Sequence, residues 1–263
     1  MAITTLDGLV AARTGKRQGF TFSRTGIGNT AAGQLFSLYR ATGGPPAQPA
    51  VPGAAAVPTK ALTFSFANKA GSDTTYLDAL GGVSTVPGTL MFYDRFFHIG
   101  GLNGTLTTAQ AVNSQALLTF PFRGAPAEEC EWFLEWYADT GATATTATVA
   151  VTYTDATTGT VAVALAINTR AGRLMPIAPP QGKYIASVQS VTLAATTGTA
   201  GSFGVTCGDR KAAVTLTAPQ SNVGAEKDLI LCPVPDDACL WQVVACTTTA
   251  TGDWRGEFTL IQG

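Results

Sequence analysis

The 263-residue chain has one histidine, and only 13% of its residues are charged, about half the usual share. A scarcity of histidine restricts chemistry. A Ser-His-Asp centre would have to use His98, which lies inside the hydrophobic stretch "YDRFFHIGG", where a core or interface histidine is expected. A metal site would need His98 with scattered carboxylates or thiols, and no ligand stands two or three residues away from it. No stretch approaches the ~18 consecutive apolar residues of a membrane span. The opening "MAITTLDGLVAARTGKRQGF" lacks the basic start and apolar core of a signal peptide, so synthesis and retention in a reducing cytoplasm is the expectation. With 16 basic and 17 acidic residues the net charge is −1, which provides no basic field for nucleic acid.

Five cysteines make an odd number, against a complete disulfide framework. Cys130 and Cys207 stand alone, and Cys232, Cys239 and Cys246 are too far apart for zinc clips, so buried free thiols are expected. Phosphate loops are missing too. "TGIGNTAAG" lacks the G-x-G-x-x-G order, and "RTGKRQG" lacks the leading glycine and trailing Ser/Thr of a P-loop; both read as turns. Carboxylate pairs for glycoside hydrolysis could come from Glu128, Glu129, Glu131 and Glu135, or from Asp236 and Asp237. "EECEWFLEW" reads better as a strand with one acidic, exposed face, and "PVPDDACLW" as a turn before a buried strand. No catalytic, cofactor-binding or metal residue is assigned, no cofactor is implied, and an enzyme is not expected.

What is present is apolar and small. The chain is 46% apolar, and low net charge does not fit disorder. Low charge with abundant Thr, Ala and Gly suits a protein whose surface is largely covered by neighbours. Residues 5–13, "TLDGLVAAR", predict a short helix with Thr5 as cap and Leu6, Leu9 and Val10 on one face. Residues 19–44 read as two strands joined by a Gly/Asn turn. Residues 43–60 hold five prolines and three glycines and must be a loop, linker or extended arm. "DTTYLDALGGV" suggests a helical turn ended by Gly81 and Gly82.

Residues 88–105 are the most apolar run, and both alternating faces are apolar. That predicts a strand covered on both sides, with Asp94 and Arg95 each needing a partner and a tight turn at Asn103-Gly104. After a soft boundary near 125, "ECEWFLEWYA" predicts a strand by its period of two and its aromatics. Then three similar units follow, each a strand, a Thr/Gly turn and a strand, turning at 155–160, 194–199 and 248–253 and read as three hairpins. The nearly low-complexity "ATATTATVAVTYTD", residues 142–155, is the outgoing strand of the first. The fold class expected is mainly β: an antiparallel sandwich or jelly-roll-like part over 125–263, and a smaller β-rich docking part over 1–124 containing the proline-rich segment.

Four tryptophans could stack on sugar rings. Trp132 and Trp136 share a face with Leu134, as in a sandwich core, and Trp241 follows Leu240 in a core strand. Trp254, just past a turn in "TGDWRGEF", is the exposed candidate. Asn103-Gly104-Thr105 matches a glycosylation sequon but reads as a turn.

Several segments together carry a resemblance. "GTLMFYDRFFHIGGLNGTLTTAQAV", "ECEWFLEWYADTGATATTATVAVTY", "RAGRLMPIAPPQGKYIASVQSVTLAATTGTAGSFGVT", "PVPDDACLWQVV" and the final "FTLIQG" resemble a set of tailed-bacteriophage structural proteins, over most of the chain. The resemblance implies a non-enzymatic virion component and transfers no catalytic residue. A major shell protein would need a long spine helix, and no long 3.6-period segment is present. A Thr/Ala-rich sandwich with a proline-rich arm instead resembles a head decoration, or cement, protein. Such a protein would bind the major capsid protein between capsomers, stabilise the head, self-associate with a trimer favoured, and reside in the virion after assembly in the host cytoplasm. Residues 1–60 are the expected assembly interface. The alternative is a tail- or baseplate-associated receptor- or carbohydrate-binding module, with Trp254 as its platform.

Overall fold

The most apolar run of the chain becomes its central strand, β5 (Gly88–Asn103), and every residue from Leu90 to Gly100 is buried. In this computed structural model, which describes residues 2–27, 32–44, 50–116, 118, 120–217, 231–249 and 252–263, β5 is one wall of a closed antiparallel barrel. Its neighbours there are β12 (Ser202–Leu216) and β14 (Leu240–Cys246). β7 (Cys130–Ala138), β10 (Arg173–Pro176) and β2 (Gln34–Ser37) complete the ring.

Two further sheets pack against the outside of this barrel, which is why β5 has no polar face. One has the order β13 (Cys232–Pro233), β4 (Thr75–Ser84), β15 (Gly252–Gln262), β1 (Arg17–Ile27), β3 (Thr42–Gly44). Its Phe22, Leu77, Leu80 and Phe258 meet Leu90, Phe92, Leu240 and Val244 of the barrel. The other has the order β6 (Gln110–Ala111), β11 (Ile185–Leu193), β8 (Thr145–Tyr153), β9 (Thr158–Leu165). Val149, Val151, Val161, Val163 and Val191 from this sheet pack on Phe97, Trp132, Trp136 and Phe203. A third cluster, with Tyr39, Met91, Tyr93, Phe133, Leu174 and Trp241, joins residues of the six-stranded ring.

The chain is mainly β and antiparallel, as its alternation predicts. α1 (Leu6–Gly15) also forms as expected, with the Thr5 side chain accepting from the Gly8 N–H at 3.1 Å. Its face differs from the expected one: Leu9 and Ala12 pack on Tyr76 and Ile261, whereas Leu6 and Val10 are exposed. Strand pairing crosses residue 125, because β1 joins β15 and β5 joins both β12 and β14.

Three local expectations are corrected. Residues 73–83, read as a helical turn, fall almost wholly in the strand β4, which pairs with β15 along its length. β4 is buried from Thr75 to Gly81, with its Asp78 held by Arg13, and tertiary pairing overrides a weak helical pattern. Of the three expected hairpins only β8–β9 is one. The turn at 194–199 instead carries the chain from β11 in the outer sheet to β12 in the barrel, and the segment at 248–253 links β14 to β15 in different sheets. Alternation and turn residues report a reversal of direction; they do not report which strand becomes the neighbour. The third correction concerns Glu135, expected on an exposed acidic face and instead fully buried. Residues 45–49 of the proline-rich segment and 28–31 of the Gly/Asn turn lie outside the described residues. From the rest of that segment, Ala56 bridges to His98, exchanging backbone hydrogen bonds of 2.9 and 3.0 Å.

Candidate functional site

The densest group of buried charge lies where β5, β7 and β12 meet. Arg95 on β5 and Glu135 on β7 form an ion pair with both side chains nearly inaccessible to water. The Arg95 Nε donates to Thr206 Oγ1 on β12 at 2.7 Å, and Thr206 Oγ1 in turn donates to the Phe97 carbonyl at 2.8 Å. The guanidinium also lies 4.4 Å from the centre of the Trp241 ring. Arg40, which follows β2, brings a second guanidinium to 3.6 Å from the other Glu135 oxygen.

His98 completes the group. Its Nε2 is 2.6 Å from the Tyr137 hydroxyl and 3.5 Å from Glu135 Oε2. Burial first, and then Arg95 and Arg40, push its pKa well below the usual imidazole value, so the ring is neutral at pH 7. Burial, followed by the Glu135 charge, raises Tyr137 well above its usual range. Neutral histidine, protonated tyrosine and a charge-balanced Arg–Glu pair form a closed network that ties three strands together. Thr206, the hydroxyl in contact, is already committed on both sides.

A second ionic group flanks a cavity of about 310 Å³ between β12, β13 and the 123–126 turn. Asp94 accepts from Arg123 and, at 2.8 Å, from the Cys239 N–H. Its pKa is raised by burial, against the pull of Arg123. Asp209 pairs with Lys211; burial alone would lower the lysine, yet this partner leaves its pKa raised. Thus Asp94 and Arg95 both find the partners that a doubly covered strand requires. An open cleft of about 360 Å³ lies between the start of β7 and residues 176–185, with Glu131, Lys183 and Tyr184 at its wall.

The individually named candidates do not converge. Glu131 accepts from Tyr93 at 3.0 Å, Asp236 accepts from the Lys69 N–H at 3.0 Å, and Glu135 is locked to Arg95. All five cysteines are free thiols, and burial raises Cys130 and Cys239 to about 12, which keeps both protonated. Trp132, Trp136 and Trp241 are core residues, as expected. Trp254 is a correction: it is only 1% exposed, enclosed by Val86, Gly88 and Gly252. Sequence reasoning missed the gathering of Arg40, Glu135, Tyr137 and Thr206 around Arg95 and His98. The signal was the alternation itself, which put Glu135 and Tyr137 on one side with Phe133.

No family model matches the chain, and no curated protein does. Among solved structures, infectious bursal disease virus Gx strain is similar at 12% identity, over 93% of this chain and 40% of that one, with a TM-score of 0.16. The chain therefore spans about two fifths of the length of that neighbour.

Proposed function

We propose that the chain is a non-enzymatic structural component of a tailed-phage virion, a head decoration protein that binds the major capsid protein through its N-terminal region. The observation that carries the reading is where large apolar side chains meet water. Of the eight exposed ones among the described residues, five fall within residues 6–62: Leu6, Val10, Val51, Val57 and Leu62. A surface of low charge with its apolar residues gathered in one part of the chain suits a wide, shape-matched contact. Self-association into a trimer on the assembled particle belongs to the same reading.

The test is made on particles produced from the genome that encodes the chain. Labelled electron microscopy is expected to mark the head, and Leu6→Glu with Val10→Glu to remove the protein from particles without changing its circular dichroism. Absence from purified particles would overturn the proposal, and label on the tail would favour a receptor-binding module. That second reading has lost its aromatic platform, since all four tryptophans are buried.

A further inference from the structure

Among the described residues, every sheet edge is closed or short, except one. The barrel has none, and the outer sheets end in β13, β6 and β3, strands of two, two and three residues. The fourth terminal strand is β9, eight residues long and laddered to β8 without a register shift. Among the described residues, no strand pairs with its outer side. Proteins blunt such edges with charge, proline, bulges or covering loops, because free N–H and C=O groups recruit other strands. Residues 156–166, "ATTGTVAVALA", contain no charge and no proline.

The ladder fixes which groups are free. The Tyr153 N–H donates to the Thr157 carbonyl at 2.8 Å. Alternation from that pair turns the main-chain groups of Thr158, Thr160, Ala162 and Ala164 away from β8. The side chains of these four are exposed, whereas Val161, Val163 and Leu165 are buried in the core.

We propose that β9 pairs antiparallel with β9 of a second copy of this chain, continuing the four-stranded sheet across a two-fold axis. Two arguments select that occupant. A two-fold antiparallel contact brings only the residues next to its axis beside their own counterparts, so a charge at 160 or 162 would sit diagonally across from its like; this edge carries none. In addition, one register satisfies all the free groups: Thr158 opposite Ala164 and Thr160 opposite Ala162, with Val161 on the axis. It forms about eight new hydrogen bonds and keeps the valines of both copies on the core side. Because the opposite edge strand, β6, has only two residues, pairing stops at two copies. The inference does not rest on the virion reading.

Edge pairing of this length buries less than the ~1,200 Å² of a standard interface, so association is weak and is read across a concentration range. Sedimentation velocity of the full chain is expected to move from one copy to two. Over the same range, hydrogen exchange at Thr158, Thr160, Ala162 and Ala164 should slow. Ala162→Pro, which removes an outward N–H, and Ala162→Lys, which sets like charges across the axis, should each return the protein to single copies with unchanged circular dichroism. If Ala162→Pro does not fold, Ala162→Lys decides. A wild-type chain that stays single up to about 1 mM, association that survives in a folded variant, or a dimer with unslowed exchange at these four amides would each overturn the proposal.

Discussion

Arg95 and Glu135 face each other from β5 and β7 with almost no contact with water, an ion pair enclosed by the strands that carry it. A buried pair of this kind returns little net stability, but removing one partner strands a charge. Glu135→Gln or Arg95→Met alone should therefore cost about 3–5 kcal/mol, measured by urea unfolding. The double variant Arg95→Met/Glu135→Leu should recover only part of that loss, because the buried Arg40 also loses Glu135. A cost for the double variant equal to the sum of the two single ones would show that the two residues do not interact.

His98 makes stability depend on pH. Its folded pKa is depressed, whereas in the unfolded chain it titrates near 6.5. Between those values the unfolded state holds the extra proton, so stability falls as pH drops below about 6.5, by at most ~1.4 kcal/mol per pH unit. The fall ends once the pH passes below the folded value. Asp94, whose pKa is raised, acts in the opposite sense, stabilising the fold as pH falls through the carboxylate range. The difference between wild type and His98→Gln isolates the histidine: it should be flat above pH 7 and sloped below 6.5. A pH-independent difference would mean that His98 is not held neutral.

How much of this was legible follows from the reach of each signal. Period-two alternation marks strands because it depends on only a few residues, and it found β5, β7, β8 and β9. Neighbours depend on the whole chain. The Thr/Gly turns at 155–160 and 194–199 read alike, yet one closes a hairpin and the other passes between sheets. Burial of Glu135 was hidden because its partners, Arg40, Arg95 and His98, are 37 to 95 residues away. Both faces of β7 are covered, one by the outer sheet and the other by the barrel interior, and no pattern within β7 announces a second cover.

Gln242 on β14 is fully buried, and among the described residues neither its amide nitrogen nor its oxygen has a hydrogen-bond partner. Neighbouring Leu240 and Val244 belong to the apolar core between barrel and sheet. Leucine has a similar volume and no polar group to desolvate, so Gln242→Leu should raise the stability by about 1–3 kcal/mol. A urea midpoint shifted upward at constant slope is the expected result. A lower midpoint would mean that the amide is satisfied.

Gly204 on β12 pairs with Glu135 of β7 and sits at a register shift opposite β5, and a Cβ there would overlap the Ile99 carbonyl and approach the Tyr137 hydroxyl to 2.6 Å. Main chain cannot yield as a flexible side chain can. Gly204→Ala should therefore cost about 1–3 kcal/mol or more and disturb the Tyr137–His98 contact. Unchanged stability together with an unchanged His98 imidazole resonance would refute the close approach.

Trp254 separates a structural reading from a sugar-binding one. Its ring is enclosed between β4, β5 and β15, so close that a Cβ on Gly88 would come within 2.7 Å of it. Truncation opens a cavity in the apolar core between the barrel and the sheet that carries β15, and Trp254→Ala should cost about 3–5 kcal/mol. An exposed platform predicts the opposite: near-wild-type stability, with sugar binding lost. Thermal unfolding and glycan-array binding, run side by side on wild type and variant, distinguish the two. A stable variant that lost glycan binding would place the ring at the surface.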